Sequence, residues 1–236
     1  MLPAFTTSFD EDLLKFPAFE MRPFQLPFIG SNMPGFGSIL FVMESHYIDP
    51  EFFQYQYDKE NLKEEFPDLF YNVKANKLTN AFKAFLNTRQ IIVESCSKDA
   101  RKAKGKSVYR KLAGVVKEGL DLNKTNSTSP LDHIAIYNYF QRPSYKPAAT
   151  IKVSEKDAVK AYETLKHIVS TVNIQKIIFT SAKAYDSFIK IDKVNNNSVQ
   201  TNRKIFRGVH PRLWGNSCAY EEGISWKQWI VNRIKG

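Results

Sequence analysis

Apolar residues in this chain fall into short continuous runs separated by longer stretches of helical periodicity. Ile39 to Met43 is the first such run, preceded by Gly35, Gly37 and Ser38 and stopped by Glu44-Ser45-His46-Tyr47. A short run that starts from glycines and is β-branched or aromatic predicts a buried strand. His133 to Phe140, Gln175 to Thr180 and Lys204 to Val209 predict three more. The intervals read as helices. Asp49-Pro50-Glu51 offers an N-cap, a proline at the first helical position and an acid in the first turn. Asn76 to Asn87 sets Leu78, Phe82, Phe85 and Leu86 on one face, and Thr88 to Leu120 forms a third helical segment interrupted near Gly105. Ser154 and Asp157 make a capping box ahead of Tyr162, Leu165, Ile168 and Val169. Ser181 to Ile189 and Ser225 to Ile234 complete the helical set.

Strands alternating with helices predict a parallel sheet with right-handed crossovers and helices on both faces. The expected fold class is therefore α/β: a three-layer α/β/α domain around a central four-stranded parallel sheet, spanning residues 38–236. Residues 1–37 are rich in Phe and Pro, and proline restricts helix while the phenylalanines seek burial. They predict an extended N-terminal arm packed on the domain, with room for one helical turn near Asp10 to Lys15.

A chain of 236 residues, 43% hydrophobic, buries one large core. Its formal charge of +10 points to an acidic partner, nucleic acid before an anionic membrane surface. Eight cations between Lys98 and Lys117, Lys102, Lys104 and Lys106 among them, stand against the single acid Asp99 until Glu118, a candidate phosphate-tracking face. Only Cys96 and Cys218 are present, too few for a four-cysteine cluster and in no metal-ligand spacing. With no secretory core at the start and no apolar run of membrane-spanning length, the expectation is a cytoplasmic monomer without metal or cofactor.

In a parallel sheet the carboxyl ends of the strands lie on one edge, where ligands bind. Four polar sets arrive there: Glu44-Ser45-His46-Tyr47, Asn138, Thr180-Ser181 and His210-Pro211. With Leu40 to Tyr47, Ile136 to Pro143, Ile177 to Ala184 and His210 to Trp214 in this order, the chain resembles a divergent member of the uracil-DNA glycosylase superfamily. That family follows its first strand with G-Q-D-P-Y-H or G-x-N-P-G and its last with H-P-S. The resemblance covers roughly residues 36–236 and implies a uracil-DNA-glycosylase-like fold that removes a flipped base from single- or double-stranded DNA.

The resemblance also implies roles. His210 stabilises the departing base, Asn138 reads its edge, and Tyr47 shapes the pocket, with Phe53 or Phe52 as a stacking face and Ser181 at the substrate. Arg212 meets a phosphate, while Leu213 or Trp214 wedges into the duplex. The first motif departs from the family: Ser45 stands where Asp or Asn is usual, His46 where Pro is, and Glu44 where Gln is. As the only acid in the motif, Glu44 is the candidate for the carboxylate role. Two rivals follow from Ser45. One is a catalytically silent nucleic-acid-binding module, and the other a small-molecule hydrolase using Ser45 with His46 or His210, without the G-x-S-x-G elbow.

Overall fold

The computed structural model describes residues 1–33, 38–46, 70–71, 78–97, 107–122, 128–143 and 151–236. In chain order, helices α1 (Asp10–Leu14) and α2 (Pro17–Met21) precede strands β1 (Phe28–Ile29) and β2 (Ile39–Ser45). Helices α3 (Asn80–Leu86), α4 (Thr88–Ser95) and α5 (Ser107–Gly119) lead to β3 (Ala135–Phe140) and α6 (Glu155–Thr171). Then come β4 (Lys176–Phe179), α7 (Ala182–Val194), β5 (Lys204–Arg207) and α8 (Trp226–Lys235).

The sheet has five strands in the order β1-β3-β2-β4-β5. β2, β3, β4 and β5 run parallel, as the alternation of strands and helices requires. β2 lies at the centre, with Val42 opposite Tyr137 on one side and Phe179 on the other. Its near-continuous apolar run suits a strand covered on both faces.

β1 is antiparallel to β3, pairing Phe28 with Ile136, so the sheet is mixed and not the four-stranded parallel sheet expected. Two residues are too few to show a period, and Pro27 just before them is tolerated because β1 is an edge strand. Gly30 makes the close approach possible: a Cβ there would lie 2.3 Å from the Asp132 carbonyl oxygen. The arm is also not extended. Pro17 begins α2 at its first position, where a missing N–H costs nothing, and Leu13 and Phe19 are buried.

Helices cover both faces of the sheet. Leu40, Val42, Tyr137, Tyr139 and Phe179 pack in one cluster with Tyr162, Leu165 and Ile168 of α6 and Phe188 of α7. Ile39, Phe41, Met43, Ile136 and Ile178 pack in another with Ile92, Leu112 and Val116 of α4 and α5 and Trp229 and Ile230 of α8. The segment expected to be one interrupted helix is two, α4 and α5, with residues 98–106 outside the described set. Among the described residues no helix is long and apolar enough to cross a membrane.

Candidate functional site

From the carboxyl end of β2 the chain turns toward β3, and from that of β4 it turns toward β5, on the opposite side. A crevice opens where neighbouring connections diverge in this way. A cavity of about 340 Å³ occupies this place, lined by Glu44, Ser45, His46, Asn138, Thr180 and His210 from the strand ends. Phe85 of α3, Ile91 of α4 and Val108 and Tyr109 of α5 add apolar lining, together with the polar Gln90, Glu94 and Ser95 of α4.

Glu44 is half-buried at the end of β2. Ser181 Oγ donates to its Oε2 at 2.8 Å, while Oε1 is buried with no hydrogen-bond partner among the described residues. A buried carboxylate oxygen without a donor is costly unless something polar visits it. Ser181 is the N-cap of α7, and its hydroxyl also accepts from Ala184 N–H at 3.2 Å. It therefore stands behind Glu44 as its support and is not among the cavity-lining residues, in contrast to the substrate contact expected.

His210 reaches the cavity because the chain folds tightly after β5. Gly208 N–H donates to Phe179 O at 2.8 Å, and a Cβ at 208 would lie 2.6 Å from that same oxygen. His210 then caps the 3-10 turn Pro211–Leu213, its Nδ1 accepting from Arg212 N–H at 3.3 Å. Lys111 Nζ donates to Pro211 O at 3.3 Å and pins the turn. Burial pushes the His210 pKa down, the Arg212 charge lowers it further, and the Glu44 carboxylate opposes both. The ring is therefore neutral at pH 7. With Nδ1 committed as an acceptor, its proton sits on Nε2.

Asn138 lies opposite Met43 in the β2–β3 register and is buried. Its Nδ2 donates to His46 Nε2 at 3.2 Å, and Thr88 Oγ1 lies 3.4 Å from the same nitrogen. His46 is buried, and desolvation alone pushes its pKa down to about 4. Such a ring is a poor general base at neutral pH. Neither histidine hydrogen-bonds Ser45 among the described residues, so the pair needed to activate a serine nucleophile is not assembled there.

After His210, Leu213 is 39% exposed and Arg212 is exposed, whereas Trp214 is only 3% exposed. The Trp214 indole donates to Val209 O at 2.9 Å and packs in the α5–α8 core. Of the two wedge candidates, Trp214 is therefore a core brace and Leu213 the side chain in contact with solvent. Tyr47, Phe52, Phe53, Lys102, Lys104 and Lys106 lie outside the described residues. The lining residues Phe85 and Tyr109 and the His46–Asn138–Thr88 contact were not anticipated. Phe85 had a signal, lying beside the buried Phe82–Leu86 stripe of its helix.

Among the described residues no cluster of His, Cys, Asp or Glu is arranged to hold a metal ion. No protein-family model and no curated protein matches the chain.

Proposed function

We propose that this chain is a DNA glycosylase-like hydrolase of the three-layer α/β/α, uracil-DNA-glycosylase-like kind, removing a flipped, altered base such as uracil from DNA. One observation carries the reading: Glu44, Asn138 and His210, from three different strand ends, line one cavity together with Phe85, Ile91, Val108 and Tyr109. Such a pocket suits a planar heterocycle with polar edges.

In this mechanism water adds to C1′ of the deoxyribose as the bond from C1′ to the base nitrogen breaks. The Glu44 carboxylate orients that water, takes the proton it sheds as the C1′–O bond forms, and stabilises the positive charge that develops on the sugar. His210 donates Nε2–H to the base, which leaves carrying the electron pair of the broken bond. A neutral donor aimed at developing negative charge in a water-poor cavity needs little reorganisation. Asn138 binds the base edge, Leu213 fills the gap left in the stack, and Arg212 meets the adjacent phosphate. The net charge of +10 suits the polyanionic partner.

The test is incubation with uracil-, hypoxanthine- and mismatched-thymine-containing oligonucleotides, single- and double-stranded, scored for abasic sites. Release of at least one of these bases is expected. The rival is a catalytically silent module of the same fold, favoured by Ser45 standing where the resembled family carries Asp or Asn. Tight, salt-sensitive DNA binding without any abasic product would establish the rival and remove the glycosylase reading.

A further inference from the structure

We infer that Arg89 is a positioning residue: by gripping the N-terminal arm it holds α4 in place beside the cavity and so sets the size of base the site accepts. This inference rests on the proposed function, because it concerns the substrate class of the same site.

α4 contributes Gln90, Ile91, Glu94 and Ser95 to the cavity, yet little of its own packing holds it still. It is eight residues long, and Ile92 is its only buried apolar side chain, with Ile91 and Val93 half-buried beside it. α3, immediately before it, sends Phe82 and Leu86 into a small cluster with Phe70 and Leu78, separate from the two clusters on the sheet. A second cavity, of about 370 Å³, lies between α4 and the arm, with Phe5, Pro23 and Phe24 on one side and Arg89 and Val93 on the other. Gln90 and Glu94 line both cavities, joined by a 2.7 Å hydrogen bond from Gln90 Nε2 to Glu94 Oε1. This turn of helix borders open space on two sides, so packing alone leaves it room to shift.

Arg89 supplies what packing does not. Its Nη1 and Nη2 donate to the two Asp10 carboxylate oxygens at 2.7 and 2.5 Å, and Nε donates to Pro27 O at 2.9 Å. The guanidinium carbon also lies 4.9 Å from the centre of the Phe5 ring. All three partners belong to the arm. The polarity is unambiguous, since a guanidinium stays charged and only donates, while carbonyl and carboxylate oxygens accept. The Arg89 and Asp10 side chains are 13% and 22% exposed, so water and salt screen this fork less than a surface pair. Residues two positions apart on a helix point to opposite sides, so Arg89 meets the arm while Ile91 meets the cavity. The arm is anchored in turn: Phe5 bridges to Gly30, and Ala4 N–H donates to Asp132 Oδ1 at 2.7 Å.

Releasing the fork lets α4 move into the second cavity, which enlarges the first. Uracil and hypoxanthine present the same edge of ring N–H beside a carbonyl, but hypoxanthine carries a second fused ring. Comparing them reads size with that hydrogen-bond pattern held constant. A widened cavity holds the pyrimidine less firmly and admits the purine more easily.

The experiment measures kcat/KM on oligonucleotides bearing hypoxanthine or uracil for wild type, Asp10→Ala, Asp10→Glu and Arg89→Met. Asp10 lines neither cavity, so its replacement reaches the site through Arg89. Asp10→Ala and Arg89→Met are each expected to raise the hypoxanthine-to-uracil ratio about fivefold or more, and the double variant no further than either alone. A base that wild type does not release is scored at its detection limit. Asp10→Glu keeps a carboxylate for the fork and should stay within about twofold of wild type. Asp10→Asn takes the place of Asp10→Ala if that variant fails to fold by circular dichroism. A ratio unchanged within about twofold in the Asp10 variant overturns the inference, since a purely structural loss lowers both rates together. Should wild type release neither base, the proposed function falls, and the inference is judged by hydrogen exchange. Amides 91–95 exchanging about tenfold faster or more in the Asp10 variant, with those of α6 unchanged, sustain it, and any smaller change ends it.

Discussion

Asp157 and Glu44 are both acidic side chains drawn into the protein near strand ends, yet their surroundings differ in kind. Asp157 is fully buried and takes five donated hydrogen bonds: two from Arg142 at 2.6 Å each, two from Ser154 at 2.8 Å and one from the Tyr71 hydroxyl at 3.0 Å. Arg142 is itself buried and has a further bond to Lys152 O. Glu44, which lines a cavity, takes one bond among the described residues, from Ser181 to Oε2, and none at Oε1. A saturated carboxylate holds a fold together and has no oxygen left for a visitor. An undersaturated one at a cavity is a liability to stability that becomes useful when a ligand or water arrives.

Glu44→Gln tests the undersaturated member. It is expected to slow base release about a thousandfold, within the range for a positioned acid or base, while leaving the urea midpoint of unfolding unchanged. Release within twofold of wild type would deny Glu44 its role. Asp157→Ala tests the other member. Leaving the Arg142 guanidinium buried without its partner should destabilise by about 3–5 kcal/mol in urea unfolding. If Asp157→Ala and Glu44→Gln had equal effects on stability, the contrast would fail.

The two histidines sharpen the contrast through pH. His46 is depressed from 6.5 to about 4, so the unfolded chain binds this proton more readily than the folded one. Stability is intact above about pH 6.5 and should fall by roughly 3 kcal/mol as pH drops to about 4. His46→Gln should remove that part of the acid sensitivity, measured by urea unfolding across the window. His210 is depressed too, so its ring stays neutral as pH falls through 6.5, where an ordinary histidine gains its proton, and base release measured across that point should show no step from this residue. The smallest effect is expected at the surface. Leu213→Ala should weaken duplex binding by about 1–2 kcal/mol with single-strand binding unchanged, and equal weakening of both would count against insertion.

Much of this arrangement was legible in the chain. The run from Ile39, the capping box of Ser154 and Asp157, and the polar residues after each strand each declare themselves locally, because burial and capping act over a few residues. Their convergence follows from parallel topology, which places Asn138 and His210 on one edge. What stayed hidden depends on contacts between distant segments. β1 is too short to carry a period and exists because β3 offers it an edge. Trp214 reads as an exposed wedge until Val209 is seen accepting its indole N–H. The burial of Arg142 against Asp157 likewise depends on the packing of α6, 15 positions away. The coupling of His46 to Asn138 spans 92 positions, and nothing at either position announces it.

β1 has a practical consequence for anyone shortening this protein. Its two residues satisfy the outer margin of β3, at Ala135 and Ile136. Deleting residues 1–33 would expose those peptide groups as an unpaired template and strip Phe19 from its contact with Tyr137. Such a product would be prone to self-association through strand addition.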